Sequence, residues 1–358
     1  MTMFAAGPEA GKTSRWDRQD SEIQAGMHVR IGRNMARRAV GTLRASLSAV
    51  LILAPGVALS EPSIGQFELK DLEAEPGEVE FQSQNAYAIG QPRRKFAEEA
   101  PGEFAYDENS VTRQRHALEI EMSMTSWLRT RVGIEYEKER FDDPPSPAAA
   151  DAYAPLELTE VALEGVVILR PASDNGLGFG LLAEFEHPLA KGEMNKIIVG
   201  PIIGARSGPW EALLNLMLVH HFGAGERDDD GVERDDKWDF AYAAQVKYEI
   251  DTTWSLALEA YGTFDRLGKT GEPGESAVLF GDHDQHRAGP IVYYERKVGG
   301  GGKGDDKDDD KPRASGVRAV ESTDRDGDVT VRLGTGVLLG LNDNTPDATL
   351  KASLEVEF

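Results

Sequence analysis

From Val79 onward the apolar residues recur at every second position, and no other feature restricts the fold as strongly. The segment "WDFAYAAQVKYEI" (Trp238–Ile250) shows the pattern most clearly. Trp238, Phe240, Tyr242, Ala244, Val246, Tyr248 and Ile250 share one parity, and Asp239, Gln245, Lys247 and Glu249 share the other. A period of two belongs to the β-strand, whose successive side chains point to opposite sides of a sheet. The last nine residues, "LKASLEVEF", keep the same register: Leu350, Ala352, Leu354 and Val356 alternate with Lys351, Ser353, Glu355 and Glu357, and Phe358 follows.

Twelve such segments are predicted between Val79–Gly90 and the terminal strand. They run to roughly ten to fourteen residues, the length a tilted strand needs to cross a bilayer. Their connections alternate in length. Short turns fall at Thr125–Ser126, Pro171–Gly176, Ser207–Pro209 and Asp251–Thr253, and long polar segments fall at 91–115, 138–158, 188–195, 223–237 and 265–285. A soluble meander has no reason to gather its short turns at one end, whereas membrane barrels place them on the periplasmic side. A sandwich seldom needs so many long strands, and no 40–50-residue repeat supports a propeller. The fold expected is therefore all-β: a transmembrane antiparallel up-and-down β-barrel of about 12 strands, spanning 77–358. Trp210 and Trp254 begin strands directly after short turns, where an interfacial aromatic girdle would stand, whereas Trp127, also after a short turn, falls on the polar parity and reads as a turn residue. Pro201 and Pro290 fall inside two strands and predict a bulge or a strand end.

Composition agrees with this reading and closes other routes. The formal net charge is −23, which argues against nucleic acid as a partner. There is no cysteine, so disulfides and thiolate metal sites are excluded. No run of eighteen apolar residues suggests a helical span. Near the N-terminus, "MARRAVGTLRASLSAVLILAPGVALSEP" carries Arg37, Arg38 and Arg44 ahead of an apolar core and a small-residue cleavage pattern at Ala58–Ser60. Residues 35–60 are read as a secretory signal peptide. Residues 1–34 then read as a misassigned start, with Met27 and Met35 the later candidates. Removal of 1–60 takes eight basic and four acidic residues and leaves a net charge of −27. Residues 61–76 form an acidic N-terminal segment expected to stay in the periplasm or tuck into the pore. The run at 299–327, rich in Gly, Asp and Lys, falls at a short-turn end and is expected to be a disordered insertion.

Alternation directs a set of charges to the lumen. Glu184, Glu186, Glu211, Asp239, Glu249 and Glu259 face Arg129, Arg131, Lys247 and Arg332 there. Rings of such residues bias a pore between cations and anions, and the same residues can instead neutralise one another and fill a narrow lumen. The acidic excess favours cations. "GDHDQHR" (Gly281–Arg287) holds Asp282, His283, Asp284 and His286, which are metal-ligand types, but at a loop and strand start where solvated polar residues are ordinary. "DRDGD" (Asp324–Asp328) lacks the glutamate of a calcium loop. His220 and His221 have no companion serine pattern and read as pore-mouth residues. No metal and no cofactor are expected, and no catalysis.

Taken together, the leader, the period-two strands and "ATLKASLEVEF" (Ala348–Phe358) resemble a bacterial outer-membrane β-barrel protein. That resemblance implies an outer-membrane location, lipid contact, and recognition of Phe358, Val356 and Leu354 by the barrel assembly machinery. More narrowly, "GVLLGLNDNTPDATLKASLEVEF" (Gly336–Phe358) is similar to the last hairpin of transporter barrels grouped with the meta-pathway of phenol degradation. The function expected is a passive, porin-like or transporter-like path for small solutes. The rivals are a non-conducting surface scaffold or assembly barrel, and a barrel-embedded hydrolase using His221, His283 or His286.

Overall fold

The structure is a computed structural model. It describes residues 67–106, 111–141, 144–173, 175–189, 193–223, 236–270, 276–298 and 329–358. The expected signal peptide, the residues before it and the insertion at 299–327 lie outside the described residues.

The strands are β1 (Val79–Ile89), β2 (Phe96–Ala100), β3 (Glu103–Tyr106), β4 (Thr112–Thr125), β5 (Leu128–Glu139), β6 (Glu157–Arg170), β7 (Gly176–Pro188), β8 (Asn195–Ser207), β9 (Trp210–Phe222), β10 (Lys237–Glu249), β11 (Trp254–Phe264), β12 (Gln285–Val298), β13 (Val329–Gly340) and β14 (Ala348–Glu357). Twelve of them close into one antiparallel barrel, in which every strand pairs with its neighbours in sequence and β14 returns to β1. The closing register pairs Glu80 with Glu357 and Ile89 with Ala348. Phe358 extends the seam, its N–H donating to the Val79 carbonyl at 2.9 Å. Closure leaves no free edge, which a sheet in lipid requires.

β2 and β3 form a separate hairpin inside the long connection at 91–115, which the alternation did not mark as strand. Phe96 packs there on Phe104 and Tyr106 at 6.0 and 5.8 Å. A second departure concerns the prolines. Neither Pro201 nor Pro290 ends or bulges its strand. β8 keeps one register with β9 on both sides of Pro201, and β12 does so with β13 across Pro290. The preceding residue explains this. A Cβ on Gly200 would stand 1.7 Å from the Leu216 carbonyl, and one on Gly289 1.9 Å from that of Val337. Each Gly-Pro pair lets one strand press against its neighbour without a shift of register.

The two faces of the wall are inverted relative to a soluble protein. Ile120, Val132, Leu163 and Leu258 point outward and are 54–61% exposed, whereas Glu119, Arg131, Glu164 and Glu259 point inward and are at most 3% exposed. In water this arrangement would leave a full apolar belt unburied, whereas acyl chains would cover it. Trp127, Trp210 and Trp254 stand exposed at the short-turn end, and the last two pack on Tyr248 and Tyr294 at 4.8 and 4.9 Å. A closed barrel that is apolar outside and charged inside is the outer-membrane type of transmembrane protein.

Candidate functional site

The inward face is not uniformly polar, because stretches of β6, β8 and β9 lose their alternation. "GVVIL" (Gly165–Leu169), "IIVGPIIG" (Ile197–Gly204) and "LLNLMLV" (Leu213–Val219) are apolar at both parities, and so they place Val166, Ile168, Ile198, Ile202 and Val219 in the lumen beside Leu182. Against this wall lies Leu72, which is 1% exposed. Its socket exists because β7 and β8 carry glycine there. A Cβ at Gly178, Gly180 or Gly204 would come within 2.7, 2.5 and 3.2 Å of the Leu72 side chain.

Residues 67–76 thus lie inside the barrel and not below it, held by contacts of three kinds. Phe67 packs edge-on against Tyr261 at 5.4 Å, with the Arg287 guanidinium 4.6 Å from its ring centre. Asn215 clamps the Lys70 backbone, its Oδ1 accepting from the Lys70 N–H at 2.7 Å and its Nδ2 donating to the Lys70 carbonyl at 2.9 Å. Ion pairs complete the attachment. Lys70 meets Glu68 at 2.6 Å and Glu164 at 2.7 Å, Arg131 grips the Glu68 carboxylate with both terminal nitrogens, and Arg129 meets Asp71 at 2.7 Å. Burial alone would push the Glu68 carboxyl up, but Arg131 and Lys70 outweigh it and hold that group well below the usual carboxylate range. Burial likewise opposes the charged Lys70, as does Arg131, and the carboxylates of Glu164 and Glu68 overcome both and raise its pKa. Buried charges are tolerated here because each has a partner.

Below the plug, toward the short turns, a cavity of about 790 Å³ reaches the turn residues Pro209, Asp251 and Thr253. Of the ten charges expected in the lumen, Arg129, Arg131, Glu211, Lys247, Glu249 and Arg332 line this vestibule. They are largely paired: Arg206 meets Glu211 at 3.0 Å, Lys247 also binds Glu211, and Arg332 joins Glu355 and Glu295 at 2.9 and 3.1 Å. Glu259 lies at plug depth, taking Lys351 at 2.7 Å, Tyr261 at 2.6 Å and Gln245 at 2.8 Å. Glu184 faces Glu164 across the β6–β7 pair. Glu186 and Asp239 sit nearer the long-loop end, with Lys196 at 2.9 Å and His221 at 2.8 Å respectively. The charges therefore form separate pairs at several depths and no single ring.

Sequence reasoning allowed residues 61–76 to tuck into the pore but singled out none of Phe67, Glu68, Lys70 and Leu72, nor their receivers Asn215 and Tyr261. The signal in the sequence was the loss of alternation in β6, β8 and β9, since a lumen wall that is apolar needs a cover. The histidines do not gather. His221 is buried against Asp239, whereas His286 is on the outward face of β12 among Tyr242, Phe264 and Phe280. Asp284 is used structurally, accepting the Gly281 and Asp265 N–H groups at 2.8 and 2.9 Å. Among the described residues no group of three or more His, Asp or Glu side chains is placed to hold a metal ion.

No protein-family model matches the chain, and no curated protein matches it. Among solved structures it is similar to the NanC porin, at 6% sequence identity over 78% of this chain and 98% of that one, with a TM-score of 0.39. It is also similar to the transport unit of the autotransporter AIDA-I from Escherichia coli, at 10% identity over 89% and 97% of the two chains, TM-score 0.40. A Pseudomonas aeruginosa FadL homologue matches at 7% identity over 79% and 90%, TM-score 0.34. The narrower resemblance of Gly336–Phe358 to the phenol meta-pathway barrels gains no support from these comparisons.

Proposed function

We propose that this barrel is a passive path for small solutes across the outer membrane, porin-like or transporter-like, held shut by residues 67–76. One observation carries the reading. A vestibule of about 790 Å³ runs from the short-turn end to a segment that no strand ladder holds. Side-chain knobs, one amide clamp and ion pairs retain that segment, so it can leave without opening the wall. Its departure would join the vestibule to the small pocket above Phe67, which Thr112, Gln285 and Thr349 help line. The chain's acidic balance favours cations over anions in the open state. No step in this reading requires a cofactor or catalysis.

The occlusion itself favours a second reading, a non-conducting surface scaffold or assembly barrel. Planar bilayers separate the two when the intact protein is compared with a variant lacking residues 61–75. The intact protein is expected to conduct rarely and the variant steadily. A variant that forms a heat-modifiable barrel yet passes no ions would remove the path reading and leave the scaffold. Equal conductance from both proteins would show that the segment is no gate.

A further inference from the structure

The long connection between β11 and β12 exposes four large apolar side chains: Leu267 (51%), Val278 (50%), Leu279 (67%) and Phe280 (48%). They do not belong to loose chain. The Val278 N–H donates to the Gly268 carbonyl at 2.6 Å, and Asn344 Nδ2 donates to the Gly281 carbonyl at 2.7 Å. Asp284 holds both limbs of the connection through the Gly281 and Asp265 N–H groups. Arg266, Leu267 and Phe280 have φ of 46°, 57° and 61°. This is left-handed backbone that non-glycine residues adopt only where the surroundings impose it. The framework thus presents apolar side chains outward against local backbone preference.

Phe280 shows which way this surface faces. Its ring meets His286 edge-on at 4.5 Å, and His286 also contacts Tyr242 and Phe264, both on the outward parity of β10 and β11. The Val278–Phe280 stretch is therefore folded back over the outer wall. His286 is wholly buried beneath these rings, with Nε2 lacking any partner. Water would hydrate an imidazole left open on the wall and hydrocarbon would not, so covering it costs nothing further in lipid. The apolar surface continues into Leu339 and Leu341, which are 54% and 55% exposed.

We propose that Leu267 and Val278–Phe280 insert among the acyl chains of the outer leaflet and raise the apolar belt on the β11–β13 flank. Continuity with the lipid-facing wall selects lipid as the occupant. The chain contains no cysteine, so Leu279→Cys provides a single site for a nitroxide label in protein reconstituted into liposomes. The label is expected to collide with oxygen as readily as one at Leu258→Cys on the outer wall. It should also lose the nickel-chelate accessibility shown by a label at exposed Asp343→Cys in the β13–β14 turn. Chelate accessibility equal to that at Asp343→Cys would overturn the proposal. So would spin–spin broadening that vanishes on dilution with unlabelled protein, which would assign the surface to a second copy. Val278→Cys supplies the same measurement where the Leu279 variant does not fold into a heat-modifiable barrel.

Discussion

Glu78 stands just before β1, where its carboxylate accepts the Glu75 N–H at 3.1 Å. Burial and then the Glu357 carboxylate raise its pKa from 4.5 to about 8. A group raised on folding contributes stability that is complete below its unfolded value and lost as the pH climbs through the folded one. The heat-modification midpoint is therefore expected to fall between pH 4.5 and about 8, with Glu78→Gln flattening that slope. A slope unchanged in the variant would assign it to other groups. Glu68 behaves oppositely: with its pKa depressed by Arg131 and Lys70, its contribution persists above 4.5 and fades only in strong acid. The plug's pairs should hold through the window in which the mouth weakens. Parity announced which residues face inward, but not these values, because a pKa depends on which charges and dipoles stand opposite.

Each strand expected from alternation is present, with ends displaced by a few residues at most, because period-two patterning is a local property of the chain. The prolines were misjudged since their effect depends on the adjoining strand. Gly200 makes this testable. Gly200→Ala would drive a Cβ into the Leu216 carbonyl and should cost about 3 kcal/mol or more in urea unfolding. Gly165→Ala, whose Cβ meets nothing nearer than the Arg129 carbonyl at 4.0 Å, should stay within about 0.5 kcal/mol. Similar losses from both would mean that the close approach is relaxed in solution. The β2–β3 hairpin escaped notice for a related reason: strands of five and four residues are too short for alternation to stand out from loop composition.

Closure of the barrel depends on the β1–β14 seam, and Phe358 ends it with two backbone hydrogen bonds to Val79. If Phe358, Val356 and Leu354 also serve the assembly machinery, deleting Phe358 should lower the amount of barrel in the outer membrane several-fold. Purified protein refolded in detergent should still form a heat-modifiable barrel. Equal amounts in the membrane would dismiss the assembly role. Strand number and the antiparallel plan were legible in the amino-acid order, since each follows from neighbours one or two positions apart. Whether the lumen is open was not. That depends on Lys70 meeting Asn215 across 145 residues and on Leu72 entering a socket shared by β7 and β8. Contacts between distant segments leave no periodic trace in a sequence, and only the closed barrel brings them together.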